Sequence, residues 1–254
     1  MVLLDLEGAP EVKFGYRDAL AVRIAGQDIW VKPDAGVDPT LEAAYNFEEE
    51  YGTLVFQDYS SKGRDITIPV ADKRTESFAN NGEHAAARGT VFAGGSSGVA
   101  VAPYNAMASR TMMGWVAYYN LTGTWMMRWQ SQSIDSGVFG LYFLDETVRA
   151  RVRKGGTAYN AQASGSRVVN QWNHLAQTYD AVTGLNCLYI NGALAGSMTV
   201  PGGGTPDAAD FIDVASDGAA PYESSNGIAI DDPRIYSRAL SAAEVLADMG
   251  TPIG

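Results

Sequence analysis

Residues 228–250, IAIDDPRIYSRALSAAEVLADMG, read as one strand that runs directly into one short helix. The first half sets three isoleucines and a tyrosine beside an alanine, two adjacent acids, a proline and an arginine, and its β-branched and aromatic residues suit a pleated strand. The second half carries a helix start signal. Ser241 is a good N-cap, Glu244 three residues later completes a capping box, and Leu240 and Val245 are spaced for a hydrophobic staple. Gly250 then stops the helix. Two questions follow: why a chain otherwise built of strands ends this way, and what Asp231 and Asp232 do.

Upstream of this stretch the strand signals recur. TMMGWVAYYN (111–120), TWMMRWQ (124–130) and GVFGLYFLD (137–145) are short apolar and aromatic runs. TVRARVRKG (147–155) alternates valine with arginine, which predicts a strand with one wet face. WNHLAQTYD (172–180), LNCLYI (185–190) and ALAGSMTV (193–200) follow. Asn191-Gly192 separates the last two, and this pair is a strong hairpin signal because both residues tolerate positive φ. Helical periodicity is nearly absent elsewhere. The pattern predicts an all-β chain, a two-sheet sandwich or jelly roll with a short C-terminal helix.

WNHLAQTYD, LYINGALAG and IDDPRIYSRALSAAEV together resemble the end of a laminin-G-like, concanavalin A-like jelly-roll domain. YNFEEEYGTLVFQDYSSKGRDITI (45–68) resembles that family's opening strand and its Asp-x-Ser-rich loop, and RGTVFAGGSSGVAVAP (88–103) its next pair of strands. The resemblance covers residues 43–250 in order and assigns a laminin-G-like domain to residues 41–254. It implies that the last strand returns beside the first and that the helix closes the domain. Many relatives have valine after the paired acids, whereas this chain has Pro233. Proline cannot donate to a ladder, so a sheet edge or a bulge is expected there.

Adjacent residues of a strand point to opposite faces, so one of Asp231 and Asp232 points inward and needs a partner. Arg234, Arg238 or backbone amides are one choice. Calcium is the other, since related jelly rolls often hold a structural ion where first and last strands meet; Asp232 and Asp58, in QDYSSKG, are then the candidate ligands. Glucanases on this fold carry a Glu-x-Asp-x-x-Glu strand whose acids share one face. That pattern does not occur here, and Glu48-Glu49-Glu50 are consecutive and so split between faces. His84 and His174 stand near no recognisable serine or cysteine motif, and the expectation for His174 is a strand residue with a satisfied ring. Cys187 reads as a small apolar strand residue. The expectation is therefore binding rather than hydrolysis. Sugar stacks on aromatic faces, and Trp125 and Trp129, expected to share one face of TWMMRWQ with Met127, are candidate ligand residues together with Arg128 and Tyr142.

Composition narrows the partners. The formal net charge of −11 repels phosphate backbones, which argues against nucleic acid. A single cysteine excludes an intrachain disulfide. MVLLDLEGAP lacks the features of a secretory signal, and no run has the ~18 apolar residues of a membrane span, so no membrane insertion is expected. Residues 1–40 differ from the rest: ALAVRIAGQDIW predicts a hairpin, and VKPDAGVDPT a linker. This segment resembles the N-terminal heads of minor tail proteins of actinobacterial phages. That resemblance implies a multicopy virion protein, docked on other virion proteins through residues 1–40 and presenting a lectin-like domain to host glycans. Two alternatives stay open: a purely structural jelly roll, and a bacterial carbohydrate-binding module.

Overall fold

The computed structural model describes residues 21–24, 27–31, 38–47, 49, 55–67, 91–93, 106–118, 124–130, 137–144, 146–165, 171–209, 211–216 and 228–253, with some strand side chains excepted. The contacts divide the chain between Val37 and Asp38. In the first unit, β1 (Ala21–Ile24) pairs antiparallel with β2 (Gln27–Val31), Ile24 opposite Gln27, which is the expected hairpin.

The second unit is the jelly roll. Its strands are β3 (Leu41–Ala44), β4 (Val55–Phe56), β5 (Ile66–Thr67), β6 (Val91–Ala93), β7 (Arg110–Tyr118), β8 (Thr124–Gln130), β9 (Phe139–Leu144) and β10 (Thr147–Lys154). They continue with β11 (Thr157–Ser164), β12 (Trp172–Asp180), β13 (Leu185–Ile190), β14 (Ala193–Thr199), β15 (Phe211–Ser216) and β16 (Ile228–Tyr236), and helix α1 (Ala242–Met249) closes the chain. One six-stranded sheet has the order β11-β10-β9-β8-β15-β6 and the other β14-β13-β12-β7-β16-β3. All described pairings are antiparallel. The core lies between the sheets, with Phe139, Leu141, Phe143, Val148, Ala150 and Val152 of the first against Met112, Val116, Leu175, Tyr179, Leu188 and Ile235 of the second.

The C-terminal stretch forms as its residues predict. β16 lies between β7 and β3, so the last strand returns beside the first, with Arg234 opposite Ala44. Ser241 accepts from the Glu244 amide, the Glu244 carboxylate accepts from Ser241, and both halves of the capping box are present. Leu240 and Val245 join Met113, Ala176, Cys187, Tyr189 and Tyr236 in a second apolar cluster. The helix therefore covers the outer face of the second sheet, and that face would otherwise leave apolar side chains in water. Asn191 and Gly192 both have positive φ, 50° and 77°, as a two-residue hairpin turn requires.

Pro233 sits at a bulge, where the β16–β7 register shifts between Asp231 and Arg234. The bulge explains Gly114 on β7. A Cβ there would lie 3.1 Å from Pro233 Cα, Asp231 O and Met126 Cε, so any side chain would have to push the bulged backbone aside by a few tenths of an ångström. Two strands, β11 and β15, have no counterpart in the sequence reading. Asp38, Pro39 and Thr40, assigned there to the linker, belong to the jelly-roll unit. Arg238 Nη2 donates to Asp38 Oδ2 at 2.6 Å and Ser237 N donates to Thr40 O at 2.8 Å, which ties this segment to the end of β16. Among the described residues no helix is long and apolar enough to cross a membrane.

Candidate functional site on the open sheet

On β10, Val148, Ala150 and Val152 fill the core, so Arg149, Arg151 and Arg153 stand on the outer face of the first sheet. The register sets Arg149 between Tyr142 of β9 and Gln162 of β11, and Arg151 between Gly140 and Asn160. Tyr142 gathers them. Its hydroxyl accepts from Arg151 Nη2 at 2.9 Å and from Arg149 Nη1 at 3.4 Å, and donates to Asn160 Oδ1 at 3.3 Å. Asn160 Oδ1 also accepts from Arg151 Nε at 3.2 Å. The two guanidinium carbons lie 4.6 Å (Arg151) and 5.8 Å (Arg149) from the centre of the Tyr142 ring, a cation–π arrangement. Arg153 has a different role: it faces Asp207 at 3.8 Å, and Asp207 also accepts from the Gly155 and Gly156 amides of the β10–β11 turn.

The strand that carries these arginines is fastened from beneath. Asn186 of β13 donates to Ala150 O at 2.8 Å, and Gln177 of β12 donates to Arg151 O at 2.8 Å and to Asn186 Oδ1 at 2.9 Å. Both amides are fully buried and bridge the two sheets through the core. Beside the cluster, β11 passes close to β14. A Cβ on Gly196 would lie 2.5 Å from Gln162 O, so only glycine allows this approach. The seam holds a surface cavity of about 470 Å³ lined by Ala158, Tyr159, Asn160, Gln162, Ser197 and Met198. Asn160 belongs to both the cavity and the arginine cluster.

Of the sequence candidates, Tyr142 is at this site, though its side chain is buried and serves as a fastening more than a stacking platform. The side chains of Trp125, Arg128 and Trp129 lie outside the described residues. Their backbone register sets Trp125 opposite Tyr142, Arg128 opposite Gly140 and Trp129 opposite Phe139. A shift between Trp125 and Met127 breaks the simple alternation expected for TWMMRWQ, and Met126 and Met127 are both buried. Arg149, Arg151 and Asn160 were not singled out from sequence. The valine–arginine alternation of β10 was the available signal, but it shows only that the face is wet.

The calcium reading fares poorly on geometry. Asp58 is buried, and its Oδ1 accepts from the Ala44 and Ser60 amides, its Oδ2 from Ser60 Oγ and the Arg64 amide. These four donors use the oxygens that an ion would need. Asp58 thus joins β3 to its own loop as a hydrogen-bond acceptor. The buried acid of the pair is Asp231, which follows the core residue Ile230 and so lies on the outer face of the second sheet; it accepts from the Asp232 amide at 2.9 Å, while Asp232 sits in the bulge with φ of 49° and is half-buried. Among the described residues no three His, Cys, Asp or Glu side chains group as metal ligands. The oxygens of Asp58, already taken by four donors of the protein, therefore do not suit the ion.

His174 corrects a further expectation. Its ring is fully buried, edge-on to Trp115 at 5.4 Å, yet among the described residues neither ring nitrogen has a partner. Burial, assisted by the Arg234 charge, pushes its pKa down to about 3, so it is neutral at physiological pH. Cys187 is a buried free thiol whose pKa burial raises, in keeping with a packing role.

Residues 93–246, more than half of the chain, match the laminin G profile described as the concanavalin A-like lectin/glucanases superfamily. The chain belongs to this superfamily. Solved structures agree on the fold. The sialidase CBM40 of Ruminococcus gnavus, solved with α2,3-sialyllactose, aligns at a TM-score of 0.52 and 18% identity, over 64% of this chain and 94% of that one. The binding domain of botulinum neurotoxin serotype D aligns at 0.58 and 14% identity over 83% of this chain, and that of Paraclostridial Mosquitocidal Protein 1 at 0.58 and 15% over 83%. The chain spans about half the length of the two toxin domains, 51% and 52%. No curated protein sequence matches it.

Proposed function

We propose that the protein is a non-enzymatic binding protein of a phage particle, a minor tail or decoration protein, whose jelly roll holds host cell-surface glycan on the open sheet. The observation that carries this reading is the outer face of β9–β11, where Tyr142, Arg149, Arg151 and Asn160 converge next to a cavity. A glycosidase needs two carboxylates flanking the scissile bond. The described side chains here supply guanidinium, phenol and amide groups, which suit recognition of a sugar rather than cleavage. The sugar-bound CBM40 relative supports the same reading. The virion setting rests on the resemblance of residues 1–40 to phage tail heads, which would dock on neighbouring virion proteins.

A single sugar site of this size binds weakly, and display of several copies raises avidity by roughly 10²–10⁴ when the geometry allows joint engagement. The test has two parts. Mass spectrometry of purified particles should find the chain in virions, and the isolated protein should bind host cell-wall glycan weakly without releasing reducing sugar. Measurable hydrolysis would restore an enzyme reading, and absence from particles would remove the virion role while leaving the binding module.

A further inference from the structure

Arg149 differs from four other arginines of the jelly roll. Arg64 pairs with Glu42, Arg153 with Asp207, Arg234 with Asp248, and Arg238 with Asp38 and Glu244. Among the described residues Arg149 pairs with no carboxylate. Its guanidinium meets the ring and the hydroxyl of Tyr142, and its Nε is shielded from solvent without any partner. It also stands two residues from Arg151 on the same strand face, and both guanidinium groups aim at one phenol oxygen. A shielded cation without a counter-charge, as Arg149 is, is costly. This occurs in a chain with 29 acidic against 18 basic residues, where a carboxylate partner would be easy to supply from within. The fold nevertheless holds β10 rigidly in this position through the buried Gln177 and Asn186 amides.

Guanidinium presents donors in a fixed planar fork that matches carboxylate or phosphate oxygens. The adjoining cavity of about 470 Å³ falls in the usual range for small-ligand pockets. Its Asn160, Gln162 and Ser197 offer hydrogen bonds to hydroxyls, and Tyr159 and Met198 offer apolar surface. We propose that this face binds an anionic sugar: its charged group on Arg149 with Arg151 alongside, and its ring in the cavity between β11 and β14. The inference rests on the glycan-binding reading above and specifies the ligand class.

Titration calorimetry of the full chain tests it with three probes: oligogalacturonate for carboxylate, a glycerol-phosphate oligomer for phosphate, and a neutral dextran oligomer of matched length. At least one charged probe should bind, and more tightly than dextran. Raised salt should weaken that binding, and Arg149→Gln should weaken it by roughly tenfold or more, in line with loss of a charge-assisted hydrogen bond. Whichever charged probe binds identifies the anion. Should Arg149→Gln fail to fold by circular dichroism, the charged-to-neutral preference and its salt dependence in the unmodified protein decide. Dextran binding as tight as either charged probe, or a folded Arg149→Gln with unchanged affinity, would overturn the anionic inference and leave the glycan-binding reading standing. Binding of none of the three probes, together with none to host cell-wall glycan, overturns both.

Discussion

His174 shows most directly how burial changes chemistry at a single residue. Its ordinary pKa is 6.5, and in the folded protein it falls to about 3 through burial and then through the Arg234 charge. Between those values the unfolded chain binds a proton that the folded chain refuses. Stability attributable to His174 is therefore unaffected above about pH 6.5 and is lost as pH falls through that window, with a limiting slope of about 1.4 kcal/mol per pH unit. The expected outcome is that His174→Leu removes this slope: the difference in urea-unfolding free energy between the two proteins should shift towards the variant from about pH 7 to about pH 4.5. A difference that stays constant with pH would mean that the ring gains a proton partner on acidification. Asp58 offers the converse case, a buried carboxylate with four donors on its two oxygens. Sequence alone showed an acid in a serine-rich loop. It did not show that the donors would be amides of β3 and of its own loop.

At the scale of elements, β10 links fold to site. Its inward valines and alanine bind it to the core, its outward arginines form the candidate site, and two amides from the opposite sheet hold its carbonyls. Asn186→Leu keeps the branched shape but leaves Ala150 O without its side-chain donor and one of the two Gln177 Nε2 hydrogens without its acceptor, while Arg151 O still takes the other. Loss of buried partners of this kind costs about 1–3 kcal/mol each. The expected result is a lower urea midpoint with an unchanged denaturant slope, together with weaker glycan binding, because β10 is no longer held against β12 and β13. An unchanged midpoint would show that the bridge contributes no net stability. The alternation of β10 was plain in the sequence. The neighbouring β11 was not, because its TAYNAQAS is small and polar and gains its place only by pairing with β10 along its full length.

For the whole molecule, the division lies between Val37 and Asp38 rather than after Thr40. A chain starting at Asp38 should unfold in one cooperative thermal transition and, if residues 1–37 are the docking segment, fail to join particles. A chain starting at Leu41 should also fold, with a lower melting temperature. It loses the Asp38–Arg238 ion pair and the Thr40 contacts to Ser237 and Arg238. Partly exposed pairs of this type are worth about 1 kcal/mol or less each, so the shift is a few degrees and not a collapse. Scanning calorimetry of the two truncations gives the comparison directly. Identical melting temperatures would return Asp38–Thr40 to the linker.

Residues 228–250 by themselves determined a strand, a break at Pro233 and a capped helix with its staple, which depend on residues within a few positions; the return of that strand beside the first was implied by the family resemblance. Alternation, the Asn191-Gly192 turn and the order of the strand signals likewise determined an all-β sandwich, since period and turn chemistry are local properties. The site was decided by tertiary structure. Strand register brings Tyr142, Arg149, Arg151 and Asn160 together, and the close pass of β14 over β11 at Gly196 makes the cavity beside them. Such neighbours come from four strands and two sheets, and cross-strand register depends on the simultaneous burial of every strand in the core. No single stretch of the chain contains that information.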